Sequence, residues 1–214
     1  MSTLQTLRIV AWSALGVAAL LAIGVTSGWM VTDGPLAPAG SRKSELAIGG
    51  PFEMTDHRGG RFTEADLRGR VTLLFFGFTS CPDVCPTALS ELSSWLEALG
   101  PAGDSVQAVF VSVDPERDDV AQMAAYLEPF DRRIVGLTGT PAQLARMAGS
   151  FRIYYRKVAT DGGGYTMDHT AGVYLLDKNA AFAGLLDIHS EREASLEKIK
   201  RVVPNIPAGS SPNR

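Results

Sequence analysis

Residues 71–86 read VTLLFFGFTSCPDVCP and decide the fold of this 214-residue chain. The run at 71–78 is rich in β-branched and aromatic residues and too short to cross a membrane, which predicts a buried strand. Apolar side chains then recur at three- and four-residue spacing over 86–100, which predicts a helix. Residues 106–113 form a second buried run. This strand–helix–strand order predicts a parallel pair with a right-handed crossover.

The rest of the pattern predicts an α/β domain with a central mixed sheet flanked by helices. Further helices are expected at about 118–128, from 141 towards 151, and at 191–203, with strands at 172–176 and 180–186 joined by a turn at 177–179. A small additional hairpin is expected around 52–62. A βαβ unit, a helix, a hairpin and a closing helix follow the thioredoxin-like order, which would occupy residues 51–203 and leave 204–214 as a flexible tail.

Residues 9–31 contain no charged side chain. At about 1.5 Å per residue, a helix of this length covers the roughly 30 Å hydrocarbon layer, which predicts a transmembrane anchor. A cleaved signal peptide is the alternative, although the apolar run is longer than usual and no clear cleavage site follows it. The positive charge of Arg8 before the span and the negative charge of Asp33 after it predict that residues 1–8 lie in the cytoplasm, because positive charge is enriched on that side of a membrane span. Residues 32–50, rich in Gly, Pro, Ala and Ser, would then tether the domain outside.

The composition limits the classes of partner. The 20 Lys and Arg residues against 23 Asp and Glu give a formal charge of -3. Nucleic-acid binding needs a basic surface, so a nucleic-acid partner is excluded. With 45% hydrophobic residues, the chain is long enough for one anchor and one domain with its own core.

The only two cysteines, Cys81 and Cys85, follow the first long strand and open the first helix. Parallel sheets place ligands at the carboxyl ends of their strands, and a helix N-terminus is expected to lower a thiol's pKa. Side chains four residues apart share one helix face, so both sulfurs can reach one ion. Two thiolates suit Cu(I) or zinc. A structural disulfide is the alternative, although so small a loop would stabilise little.

The third ligand of such a metal site is expected to be one of the three histidines. His169 lies just before the strand at 172–176, in a loop that faces the cysteine helix in a thioredoxin-like topology. Two thiolates and one imidazole leave a position open for an exchangeable ligand, whereas a closed zinc site needs a fourth strong ligand that the sequence does not offer. Asp114 either caps the following helix or supports the site. His57 and His189 are interpreted as ordinary loop histidines.

Four segments together resemble the SCO/SenC family of copper chaperones: LLFFGFTSCPDVCP at 73–86, VSVDPERD at 111–118, VGLTGT at 135–140 and DHT at 168–170. The resemblance runs in order over about 48–203. It implies a thioredoxin-like fold with an N-terminal membrane anchor, and one copper ion, as Cu(I) or Cu(II), held by Cys81, Cys85 and His169. Asp114 and Asp168 are further candidates to support these ligands.

The resemblance also implies a role in building the dinuclear copper centre of cytochrome c oxidase subunit two. The chain would cross a bacterial cytoplasmic membrane once, with its domain facing the periplasm. There it would deliver copper obtained from an upstream donor, reduce that subunit's cysteines with electrons from an upstream thiol reductant, or do both.

Whether the chain is an enzyme depends on these two roles. A thiol-disulfide oxidoreductase would use Cys81 and Cys85 as catalytic, redox-active thiols. Its usual signature is C-x-x-C with a proline before the hairpin strand, whereas here three residues separate the cysteines and the loop reads DHT. Both departures favour metal binding. A thioredoxin-like peroxidase is a weaker alternative, because no threonine- and arginine-assisted pocket can be placed around either cysteine.

Overall fold

A computed structural model describes residues 48–203 of the chain. The predicted anchor at 9–31, most of the tether at 32–50 and the two terminal tails lie outside the described residues. Within residues 48–203, no helix is both long enough and apolar enough to span a bilayer.

A mixed sheet forms the centre of the domain. Its seven strands are β1 (Glu53–Asp56), β2 (Arg61–Thr63), β3 (Val71–Gly77), β4 (Val106–Ser112), β5 (Ile134–Thr138), β8 (Val173–Leu176) and β9 (Phe182–Leu186). They lie side by side in the order β2-β1-β5-β4-β3-β8-β9. The central strands β5, β4 and β3 are parallel, and the strands on both sides of them are antiparallel to their neighbours. A separate two-stranded sheet pairs β6 (Tyr155–Ala159) with β7 (Tyr165–His169).

In the described part of the chain, four helices accompany the sheet: α1 (Val84–Ala98), α2 (Val120–Leu127), α3 (Pro141–Phe151) and α4 (Arg192–Val202). Two short 3-10 helices, Glu64–Leu67 and Gly100–Ser105, precede β3 and β4. Local capping explains where two of the helices begin. The Asp119 side chain accepts from the Gln122 N–H at the start of α2, and Thr140 and Gln143 form a capping box at the start of α3.

The core lies on both faces of the sheet, which explains the continuous apolar runs of β3 and β4. Every residue of these two strands is buried. Neighbouring residues of a strand point to opposite faces. Phe75 packs with its ring centroid 6.1 Å from that of Phe110, whereas Phe76 lies 6.0 Å from Phe151 of α3 on the other face.

Most elements predicted from the sequence are confirmed, including both long strands, the parallel crossover, all four helices and the two predicted hairpins. Strands β5, β6 and β7 were not predicted. The prediction that Asp114 caps α2 is wrong. Its carbonyl oxygen accepts from the Arg117 and Asp118 N–H groups in a turn, so the helix begins later and Asp119 is its cap.

The hydrogen bond and the burial of His57 predict how the stability of the fold depends on pH. Its Nδ1 accepts from the Gly136 N–H at 3.1 Å, and burial followed by the nearby Arg58 charge lowers the pKa of His57 below its ordinary value of 6.5. The neutral imidazole therefore stabilises the fold above pH 6.5, and this contribution is lost as the pH falls through the lowered pKa. We expect wild type to lose stability more steeply than His57→Asn between pH 7.5 and 5, measured by urea unfolding with circular dichroism.

The amide oxygen of the introduced asparagine can accept the same hydrogen bond without titrating. His189→Asn makes the same change at an exposed histidine and is expected to keep the wild-type pH dependence. Parallel curves for wild type and His57→Asn would contradict the assignment.

Candidate metal centre

The two cysteines lie where β3 runs into α1, at the carboxyl end of the central parallel strands. The Cys81 N–H donates to the carbonyl of Phe78 at 3.2 Å, which turns the chain into the helix. Cys85 is in the first turn of α1 and is fully buried, whereas Cys81 is partly exposed. Both thiols are free, and the Cys85 N–H donates to the Cys81 sulfur at 3.4 Å.

His169 ends strand β7, and its imidazole faces the buried cysteine. Its Nδ1 lies 2.9 Å from the carbonyl oxygen of Thr170, and its Nε2 lies 3.9 Å from the Cys85 sulfur. A carbonyl oxygen only accepts hydrogen bonds, so this contact assigns the proton to Nδ1. The lone pair of Nε2 is then directed at the sulfur, as a metal-ligating imidazole requires.

Two aromatic side chains of the β3 segment hold the imidazole edge-on. The ring centroids of Phe75 and Phe78 lie 6.2 and 5.8 Å from that of His169, with interplanar angles of 76° and 88°. This is a favourable arrangement for aromatic rings, and it limits rotation of the imidazole.

Gly77 is a site residue that sequence reasoning missed. A Cβ atom at this position would lie 2.7 Å from the Cys85 sulfur and 2.7 Å from Cε2 of Phe110. Both separations are far below van der Waals contact. The missing side chain of Gly77 therefore creates the space in which the Cys85 sulfur packs.

The enclosure of Cys85 reverses the expected direction of its pKa shift. Burial raises the pKa of the Cys85 thiol far above its ordinary value, and the hydrogen bond with the backbone of Phe78 opposes this only in part. The sequence-based expectation of a lowered thiol pKa is wrong for Cys85, because desolvation outweighs the position at the helix N-terminus. A positive ion beside this sulfur would favour the thiolate form.

Asp118 ties the cysteine loop to the sheet, and it was not predicted as a site residue. Its fully buried carboxylate accepts from the Thr79 N–H at 3.0 Å, from the Thr79 hydroxyl at 2.7 Å and from the Ser112 hydroxyl at 2.6 Å. Its carbonyl oxygen accepts from the hydroxyl of Thr138 in β5. Asp118 thus joins the carboxyl ends of β3, β4 and β5.

The two predicted supporting aspartates occupy different environments. Asp114 is 1% exposed, accepts from the Tyr165 hydroxyl at 2.9 Å and pairs with Arg117. Asp168 is exposed and pairs with Arg156 at 2.8 Å. Since side chains alternate along β7, Asp168 points away from the face that carries His169. The structure therefore brings Asp114 to a buried cluster beside the site and places Asp168 at the surface.

The separation between two of the candidate donor atoms matches the size of a metal ion. Within residues 48–203, no three His, Cys, Asp or Glu side chains form a ready-made metal cage. An ion about 2.3 Å from a thiolate and about 2.0 Å from an imidazole nitrogen spans atoms up to about 4.3 Å apart. The 3.9 Å between Cys85 and His169 fits this limit. Cys81, the remaining candidate donor, is partly exposed, and its sulfur lies 3.4 Å from the backbone nitrogen of Cys85.

The fold and the site together define a class of protein: a thioredoxin-like α/β domain with two free thiols and an imidazole at the carboxyl end of its central strands. A family profile described as SCO1/SenC matches residues 40–204. The chain belongs to the SCO1/SenC family.

The sequence is also similar to proteins that are named as SCO homologues. The chain is 40% identical over 153 residues to the mitochondrial protein SCO1 homolog 1 of Arabidopsis thaliana and 39% identical over 161 residues to the mitochondrial human SCO2 homolog. These alignments cover 71% and 73% of this chain, but only 44% and 60% of the two relatives. The chain thus spans about half the length of these relatives.

Two solved structures with copper bound share the fold. Bradyrhizobium japonicum ScoI is 48% identical, with a TM-score of 0.69, over 73% of this chain and 99% of that chain. Copper-bound yeast Sco1 is 34% identical, with a TM-score of 0.68, over 76% of this chain and 92% of that chain.

The hydrogen bonds of Asp118 are expected to contribute to the free energy of unfolding. Asp118→Asn replaces one acceptor oxygen with an NH2 group that faces donors. We expect the free energy of unfolding to fall by about 1.5 to 3 kcal/mol, the value of a hydrogen bond to a charged group. Asp119→Asn is the matched control, because Asn and Asp are comparable helix caps and the change should stay within about 0.5 kcal/mol. Equal losses in the two variants, measured by urea unfolding, would refute the role of Asp118.

The close packing around Gly77 predicts that no side chain is tolerated at this position without a loss of stability. In Gly77→Ala the new methyl group must displace the Cys85 sulfur or the Phe110 ring. We expect the free energy of unfolding to fall by about 1 to 3 kcal/mol, as in other overpacked cores. Competition with a Cu(I) chelator should also show weaker metal binding. Gly149→Ala in α3 is the control, because its Cβ meets nothing within 4 Å and helical alanine is favoured by about 0.5 to 1 kcal/mol. Unchanged Cu(I) affinity in Gly77→Ala would contradict the packing argument.

Proposed function

We propose that this chain is a metallochaperone that binds one copper ion through Cys81, Cys85 and His169. It would serve assembly of the dinuclear copper centre of cytochrome c oxidase subunit two. The observation that carries this proposal is the position of the His169 imidazole, whose Nε2 lies 3.9 Å from the Cys85 sulfur. Copper in the related bacterial and yeast structures supports the choice of metal.

The ligand chemistry suits copper in both oxidation states. Thiolates are soft ligands that favour Cu(I), and imidazole suits copper more broadly. Cys81 and Cys85 would hold Cu(I), and His169 would complete the site and permit Cu(II). A set of three ligands leaves the ion accessible to another protein, which delivery requires.

Transfer would proceed by exchange of ligands. A thiolate of the acceptor subunit binds Cu(I) as one thiolate of this chain leaves, so no electron is gained or lost. Cys81 is the partly exposed thiol and can be approached from solvent, whereas the Cys85 sulfur is enclosed by Gly77 and Phe110. An upstream copper donor would load the site by the reverse exchange.

The apolar, uncharged segment at 9–31 supports a location at the bacterial cytoplasmic membrane. As a single-pass anchor with residues 1–8 in the cytoplasm, it would hold the domain in the periplasm. That arrangement keeps the copper site close to a membrane-embedded acceptor.

The second candidate function is thiol-disulfide exchange with the oxidase subunit or other extracytoplasmic proteins. The observation that favours it is the pair of free thiols. A thiolate of this chain would attack a partner disulfide, and the other cysteine would resolve the mixed disulfide. The partner then gains two thiols and this chain gains one disulfide, which an upstream thiol reductant must reduce again.

Metal titration of the purified, reduced full-length chain separates the two functions. We expect wild type to bind close to one copper ion, and Cys81→Ser and Cys85→Ser to lose most of their Cu(I) affinity. His169→Ala should weaken Cu(II) binding by about 10-fold or more while its unfolding curve changes little. Absorption spectroscopy follows the copper, and His189→Ala is the matched control for loss of an imidazole.

A disulfide-reduction assay is run on the same samples. Wild-type metal binding by His169→Ala, combined with efficient reduction of disulfide substrates by the metal-free chain, would overturn the metallochaperone proposal in favour of the oxidoreductase.

A further inference from the structure

The element that carries His169 is not part of the main sheet. Strands β6 and β7 pair only with each other within residues 48–203, in a register that sets Tyr155 opposite His169 and Ala159 opposite Tyr165. No backbone ladder therefore fixes this hairpin to the strands that carry the cysteines. The imidazole is therefore held by the short chain connections at the base of the hairpin and by side-chain contacts between the hairpin and the rest of the domain.

Several of these contacts form a cluster of Arg117, Asp114 and Tyr165, called here the clamp. Arg117 pairs with the buried Asp114 carboxylate through Nε and donates from Nη1 to the carbonyl oxygen of Tyr165 at 3.0 Å. The Tyr165 hydroxyl donates to the second oxygen of Asp114 at 2.9 Å. The Arg117 guanidinium also lies 4.0 Å from the centroid of the Tyr165 ring. Three of these four contacts join the turn after β4 to Tyr165, the first residue of β7, and the Arg117–Asp114 ion pair lies within the turn itself.

The clamp acts on the face of β7 that carries the imidazole. Side chains two residues apart share one strand face, so Tyr165, Met167 and His169 point the same way. Met167 is buried, which shows that this is the inner face. Tyr165 and His169 thus lie at opposite ends of one face of β7, so contacts that hold Tyr165 restrain the strand that carries the imidazole.

A second route links the clamp to the imidazole through Phe78. The Arg117 guanidinium carbon lies 5.9 Å from the centroid of the Phe78 ring, which packs edge-on against His169 at 5.8 Å. Phe78 belongs to the segment just before Cys81. The clamp therefore contacts both the strand of the imidazole ligand and the loop of the thiol ligands.

The geometry points to Arg117, Asp114 and Tyr165 as positioning residues that hold the imidazole of His169 against the two thiols. This inference rests on the proposed copper function and assigns to these three side chains the alignment of the third ligand. A purely structural cluster is the competing explanation. It predicts a loss of global stability without a selective change at His169.

The test compares Tyr165→Phe and Arg117→Lys with the exposed controls Tyr154→Phe and Arg156→Lys. Tyr165→Phe removes only the hydroxyl group that Asp114 accepts from. Arg117→Lys keeps the positive charge but loses the planar fork that reaches two acceptors at once. The controls make the same two chemical changes beside and on the hairpin, where Tyr154 is 56% exposed and Arg156 makes a surface ion pair.

The first readout needs no copper. Full-length, metal-free protein is treated with diethyl pyrocarbonate, and carbethoxylation of each histidine is followed by mass spectrometry. We expect the rate at His169 to rise several-fold in the two clamp variants, because the hairpin opens more often, with no change at His57 and His189. The second readout is Cu(II) affinity with its absorption spectrum, which should weaken by about 10-fold, as when a group that orients a metal ligand is lost.

The outcomes separate the two proposals. Loss of copper binding in wild type would defeat the proposed function while the carbethoxylation rates still report on the clamp. Normal Cu(II) binding in wild type, with His169 reactivity and Cu(II) affinity in the clamp variants equal to those of Tyr154→Phe and Arg156→Lys, would overturn the clamp alone. Equal increases at all three histidines would also overturn it, since that result indicates general loosening of the fold.

Discussion

The carboxylate of Asp118 accepts three hydrogen bonds at a position with no solvent exposure, and the loop that presents the cysteines depends on it. Two of the three donors belong to Thr79, two residues before Cys81, and the third is Ser112 at the end of β4. Without these bonds the buried polar groups of the loop would lack partners, at a considerable energetic cost. The carboxyl ends of the central strands and the start of α1 therefore form one connected unit.

Around that unit, the three ligand candidates are held in different ways. The Cys85 sulfur is enclosed by the bare backbone of Gly77 and the Phe110 ring, so its position follows from packing. Cys81 is partly exposed in the loop that Thr79 anchors. His169 belongs to a hairpin outside the main sheet. The candidate site thus combines one enclosed thiol, one partly exposed thiol and one imidazole on a hairpin that no ladder joins to the main sheet.

The parts of the fold that the sequence predicted are those with strong periodicity, such as the buried runs of β3 and β4 and the spacing of α1. Strand β5 was missed because Gly136 interrupts a five-residue run. In the structure a Cβ there would meet Met123 of α2 at 2.5 Å, so the glycine reflects helix packing that no local pattern contains. The glycines at 162–164, which lie between two short strand-like segments, were an available signal for the β6–β7 hairpin.

Residue type and topology were sufficient to predict the three ligand candidates. The raised pKa of Cys85 could not be predicted from the sequence, because burial is a property of the folded chain.

The placement of His169 bears on the choice between metal delivery and redox turnover. In thiol-disulfide exchange, an imidazole helps most beside the exposed attacking thiol, where it can accept the proton. Here the Nε2 of His169 faces the enclosed sulfur of Cys85, which no large disulfide substrate can approach. For the proposed copper ion the same arrangement would be useful, since Cys85 and His169 would form the inner side of the site and the partly exposed Cys81 its outer side. In the proposed transfer, a partner thiolate would replace Cys81 first, while the two inner ligands would retain the ion until the exchange is complete.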